Sequence, residues 1–154
     1  MSKLSRTKGR AFEQRIAREI REALPLATVR RSQQAHRAYE PDLVIEGGVP
    51  LLVRRLWLEL TDARAPSPTD KLAQAERDIL EAPPEAALGD RLPLVVWHVT
   101  GAKSVQVTGR FGDLATVLGL AHDDGVECRG WLDTPVTVGW VHVLGRLRAL
   151  GARL

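Results

Sequence analysis

One cysteine, one methionine, one tyrosine and two phenylalanines are all that this 154-residue chain holds of those types. A lone Cys128 excludes an intramolecular disulfide framework and fits a reducing compartment. Long apolar runs are missing too: none approaches the roughly 20 residues of a membrane-spanning helix. The N-terminus, MSKLSRTKGR, is basic but lacks the apolar segment of a secretory signal. The expectation is a cytosolic protein. His36, His98, His122 and His142 are scattered, with no zinc-like spacing to one another or to Cys128. There is no phosphate-cradling glycine motif and no nucleophile elbow. Neither a solenoid-period repeat nor a low-complexity segment is visible.

What is present is enough for one domain with a real core: 44% of residues are hydrophobic and 27% charged. The charge is unevenly placed. Residues 1–40 hold ten Lys/Arg against four Glu, a net +6, while the remainder holds twelve Lys/Arg against fifteen Asp/Glu, a net −3. The basic end is mostly arginine, which forks onto phosphate oxygens better than lysine does. A one-sided basic surface points to a polyanion, and equally to a helix with a charged outer face.

Hydrophobic period gives the elements. Residues 8–24 form a helix with Phe12, Ile16 and Ile20 on one stripe, ended by Pro25. Residues 28–38 read as a short strand running into a polar loop. Residues 41–46 and 51–61 read as two strands of a hairpin around Gly47-Gly48. Along the second, Leu56, Leu58 and Leu60 share one face, and Trp57, Glu59 and Thr61 the other. Ser67-Pro68-Thr69-Asp70 starts a helix to about Leu80. Residues 93–100 are a buried strand, 104–108 the next, and 113–120 a short helix. PVTVGWVHVL reads as a strand or the start of a helix; a helix from near Gly139 is the expectation. The order predicts an α/β domain with a mixed central sheet flanked by helices. Residues 1–120 form the main domain. Residues 121–154 form an extension, packed on that domain or at a dimer interface. Trp140, Val143, Leu147 and Leu150 give it an apolar side.

Three acids stand where chemistry can use them: Glu13 beside the helical stripe, Asp42 after Pro41, and Glu59 within a strand. Two carboxylates facing the same way on adjacent strands repel unless a cation holds them. Mg²⁺ takes oxygen ligands and is commonly held by one or two carboxylates plus substrate phosphate. Bound there, it polarises a phosphodiester for attack by water. A solvated strand-end carboxylate is the plain alternative for any one acid. Trp57, Trp97, Trp131 and Trp140 fit a core, and secondarily base stacking.

KGRAFEQRIAREI, VRRSQQ, EPDLVI, LWLEL and DKLAQAE, in that order, resemble the PD-(D/E)xK nuclease superfamily, and within it the archaeal-type and phage Holliday-junction resolvases. The resemblance covers roughly residues 6–120. It implies a restriction-endonuclease-like fold and a metal-dependent endonuclease that cuts branched DNA as a homodimer, using Mg²⁺ or Mn²⁺. It implies Asp42, Glu59 and the Leu60 carbonyl as metal ligands. Glu13 and Gln74 complete the site, and Lys8, Arg10, Arg30, Arg31 and Ser32 face DNA. A catalytically degenerate DNA binder, or a structural protein keeping only the fold, are the alternatives.

The departure is Thr61, where the family pattern implies lysine. Lys71, one helical turn before Gln74, is a candidate to replace it from the helix, and Arg64 a second. A solvated first-turn lysine is the simpler expectation for Lys71.

Overall fold

The computed structural model describes residues 3–32, 39–83, 90–120 and 132–153. In chain order the elements are α1 (Lys3–Ala23), β1 (Ala27–Arg31), β2 (Leu43–Gly47), α2 (Leu51–Arg54), β3 (Leu56–Ala63), α3 (Pro68–Glu81), β4 (Leu92–Val99), β5 (Val105–Arg110), α4 (Phe111–Leu118), β6 (Pro135–Gly139) and α5 (Trp140–Gly151). The fold is α/β. Six strands lie in sequence order across one mixed sheet, antiparallel throughout except where β3 runs parallel to β4.

Strand alternation divides the sheet into two faces. Val29, Leu43, Ile45, Leu56, Leu58, Leu60, Leu94 and Val96 pack against α1, α4 and α5 in the main core. From α1 that core takes Phe12, Ile16 and Ile20, the stripe expected from the sequence. On the opposite face Trp57 meets Ala75, Ile79 and Ala82 of α3 in a smaller cluster. The predicted division of β3 therefore holds. Its leucines enter the main core, and Trp57 and Glu59 turn toward α3.

The two strands expected within residues 41–61 do pair antiparallel, but the second begins at Leu56 and not at residue 51. Residues 51–54 form one helical turn rather than strand. Pro50 lacks an amide donor but supplies a carbonyl, which accepts from Val53 N–H at 2.9 Å and Arg54 N–H at 3.2 Å. That turn buries Val53 and leaves Leu51 72% exposed. In consequence β2 and β3 pair only at Leu43↔Leu58 before parting.

The first strand stops at Arg31, and residues 33–38 of the expected loop lie outside the described residues. The C-terminal stretch is both things it could be: Pro135–Gly139 is strand β6, and the helix follows at Trp140. Trp140, Val143 and Leu147 are buried in their own chain's core, so they form no outward apolar face. Among the described residues, no helix is long and apolar enough to cross a membrane.

Candidate active site

Glu59 lies midway along β3 and is only 8% exposed. Its strand parity turns it toward α3. Extending the Leu43↔Leu58 register by one residue sets Asp42 abreast of Glu59. The ladder has ended there, so the amide of Leu60 lacks a strand carbonyl. Asp42 Oδ2 accepts from it instead, at 2.8 Å. One carboxylate thus closes the open end of the sheet pair and is fixed beside the other.

The third group comes from α3. Lys71 is in its first turn, where its amide donates to the Ser67 carbonyl at 3.2 Å. Its ammonium donates to Glu59 Oε2 at 2.9 Å and lies 3.6 Å from Asp42 Oδ2. The other oxygen of Glu59, Oε1, accepts from the indole N–H of Trp57 at 2.9 Å. Lys71 is therefore not the solvated first-turn lysine of the simpler expectation. Leu72 and Ala75 dock the helix on the sheet, and Lys71 flanks that stripe near enough to reach the carboxylates.

The electrostatics follow from the geometry. Burial raises the proton affinity of Glu59, and Asp42 raises it further; Lys71 and the Trp57 N–H oppose both. Burial works against the charge of Lys71 as well. Asp42 and Glu59 outweigh it and hold the ammonium above the ordinary lysine value. The repulsion of paired carboxylates is thus relieved in this structure by an internal cation.

Other expected site residues lie elsewhere. Glu13 pairs with Arg31, whose ladder partner Leu43 belongs to the main core. That puts the Glu13–Arg31 pair on the α1 side, away from the α3 side where Asp42, Glu59 and Lys71 meet. Gln74 is exposed and hydrogen-bonds to none of these three; it lies about 100° round the helix from buried Ala75. Thr61 is half-buried and Arg64 exposed, and Arg64 has no ion pair among the described residues.

The expected DNA-facing residues are partly engaged. Arg30 donates to both carboxylate oxygens of Glu40, at 3.0 and 3.2 Å, and approaches Glu46 at 3.5 Å. The Ser32 hydroxyl adds a bond to Glu40 at 3.0 Å. Arg10 is exposed on α1; Lys8 lies in α1, with its side chain outside the described residues. The Leu60 side chain is in the core.

Two further clusters were not singled out in the sequence. His98 Nδ1 lies 3.1 Å from Asp62 Oδ1, its Nε2 lies 2.7 Å from the Ala102 carbonyl, and its ring stacks on Phe12. Arg110 forks onto Glu76 at 2.5 and 2.6 Å. The indole donor of Trp57 had a signal: residues two apart on a strand share a face, and a buried tryptophan N–H needs an acceptor.

The donor set at Asp42 and Glu59 is two hard carboxylates beside a strand backbone, which suits Mg²⁺ or Mn²⁺. Among the described residues no group of three or more His, Cys, Asp and Glu is placed to hold a metal. A cation here would thus rest on the two acids, backbone oxygen and substrate. Comparison with protein-family models, curated proteins and solved structures gives no match.

Proposed function

We propose that this chain is a metal-dependent, structure-specific DNA endonuclease of the Holliday-junction resolvase kind, on a restriction-endonuclease-like fold, with Lys71 serving where Thr61 replaces the strand lysine. One observation carries the reading: Lys71 Nζ stands 2.9 Å from Glu59 and 3.6 Å from Asp42. Two acids and a lysine converge from β3, the start of β2 and the start of α3. The ordered sequence resemblance supplies the substrate class.

In this reading Asp42, Glu59 and the Leu60 carbonyl hold Mg²⁺ or Mn²⁺. The bound cation supplies Lewis-acid polarisation of the scissile phosphodiester. Lys71, on a flexible four-carbon stem, releases the carboxylates and turns its ammonium to a non-bridging phosphate oxygen. There it offsets the negative charge that develops as water attacks phosphorus and the ester oxygen leaves. A junction has two-fold-related strands, so a homodimer with paired sites suits it.

The same observation favours a second reading. An ammonium already neutralising both carboxylates can be a structural ion-pair cluster in a protein that binds DNA without cutting it. The deciding experiment mixes the protein with a four-way junction and with linear duplex, in Mg²⁺, Mn²⁺ or chelator. The first reading expects junction cleavage in either metal and none in chelator. Junction binding without cleavage in any condition favours the second. Absence of binding removes both.

A further inference from the structure

We infer that Trp57 is a positioning residue for Glu59, and that through it the docking of α3 sets the cation-holding carboxylate. The inference rests on the endonuclease reading for its functional meaning.

Trp57 is 1% exposed, and its indole is covered by Ala75, Ile79 and Ala82 of α3 and its C-terminal end. Its single polar atom donates to Glu59 Oε1 at 2.9 Å. Nε1 has no second donor, so that bond is its whole hydrogen-bonding capacity. Glu59 and Trp57 are neighbours on one strand face, and the contact fixes the carboxylate rotamer. One oxygen is committed to the indole, and the other, Oε2, points to Lys71.

The consequence is a shared dependence. The helix that carries Lys71 also clamps the ring that aims Glu59. If α3 shifts, the lysine and the carboxylate lose their alignment together. A carboxylate held by one fixed donor is also preorganised, so a cation meets Oε2 without first ordering the side chain. Removing the N–H frees Glu59 to rotate, although the acid itself remains.

The test is a double-mutant cycle between Trp57→Phe and Glu59→Gln. Phenylalanine keeps an aromatic ring and removes the donor. Urea unfolding without metal measures the coupling. Because a hydrogen bond to a charged group is the strong kind, Trp57→Phe should lower the folding equilibrium constant about tenfold more in the wild-type background than in the Glu59→Gln background. Equal cost in both backgrounds makes Trp57 a packing residue only and overturns the inference. A second readout needs no Trp57 variant: the backbone-assigned Trp57 indole proton resonance should move upfield in Glu59→Gln. An unmoved resonance also overturns it.

Calorimetry with Mn²⁺ alone tests the functional half. Trp57→Phe should weaken Mn²⁺ binding about tenfold in the wild-type background and no further in the Glu59→Gln background. Unchanged affinity overturns this half. Should the wild type take up no Mn²⁺ even with a four-way junction present, the endonuclease reading falls, while the unfolding cycle and the resonance still decide whether Trp57 aims Glu59.

Discussion

Lys71 and Glu59, twelve residues apart in the chain, meet at 2.9 Å between α3 and β3. The contact joins the first turn of a helix to the middle of a buried strand. With Asp42 at 3.6 Å from the same ammonium, one cation serves two acids. Its removal leaves two carboxylates side by side with their repulsion unscreened.

Lys71→Met should therefore destabilise the fold. Breaking one partner of a fully buried pair costs about 3–5 kcal/mol. The Lys71 side chain is 29% exposed, so water compensates part of this. The expected loss is about 1–3 kcal/mol in urea unfolding at neutral pH. A loss within error of zero contradicts the ion-pair account.

The pH dependence has a worked sign. Glu59 binds its proton more tightly in the native state, through burial first and Asp42 second. An unfolded glutamate ionises near pH 4.5, so the contribution of Glu59 is fully favourable below that value. It is lost as pH rises through the higher native value. Unfolding between about pH 4 and 7 should show wild type losing stability relative to Glu59→Gln as pH rises. Lys71 acts at the alkaline end. Its native proton affinity is raised by Asp42 and Glu59 against the cost of burial. Its contribution is present below about pH 10.5 and lost above. Lys71→Met should lack that alkaline loss.

Local pattern made much of this arrangement legible. The period-2 alternation of LWLELT placed Trp57 and Glu59 on one face and Leu58 and Leu60 on the other. The Phe12–Ile16–Ile20 stripe identified the α1 core face. Tertiary register decided the rest. Whether Lys71 is solvated or seated depends on how α3 lands on the sheet, through Leu72 and Ala75, and no local signal encodes that. Residues 51–54 alternate little and are β-compatible in composition, yet Pro50 makes them a helical turn. Arg30 and Arg31 announced charge but not their partners; strand parity sends Arg31 to Glu13 and the chain's return at Glu40 takes Arg30.

The Arg30–Glu40 fork suggests a measurable release. A guanidinium with an added hydroxyl is also how a phosphate is held, and here Glu40 takes that position between Arg30 and Ser32. On the DNA-binding reading, Glu40→Gln should loosen the fork and leave Arg30, still 3.5 Å from Glu46, freer to meet a phosphate. Affinity for a four-way junction, by fluorescence anisotropy, should rise several-fold at low salt. The slope of log affinity against log salt should steepen by about 0.9, one further phosphate contact. Unchanged affinity and slope would mean that Arg30 does not meet DNA.

The question left by Thr61 has a direct test in Lys71. The two basic candidates to replace the missing lysine are Lys71 on the helix and Arg64 just past the strand, and the structure treats them differently. Arg64 is exposed, whereas Lys71 is half-buried against both acids. On the endonuclease reading, Lys71→Ala should lower junction cleavage by roughly 10²–10³ while junction binding stays within a few-fold, because that reading makes Lys71 a transition-state donor and puts the DNA contacts elsewhere. Arg64→Ala should leave the rate within a few-fold. Adding Thr61→Lys to Lys71→Ala should recover part of the lost rate, since an ammonium returns beside Glu59 from the strand. Cleavage that persists at the wild-type rate in Lys71→Ala would remove Lys71 from the chemistry. Persistence in Glu59→Ala would remove the site itself.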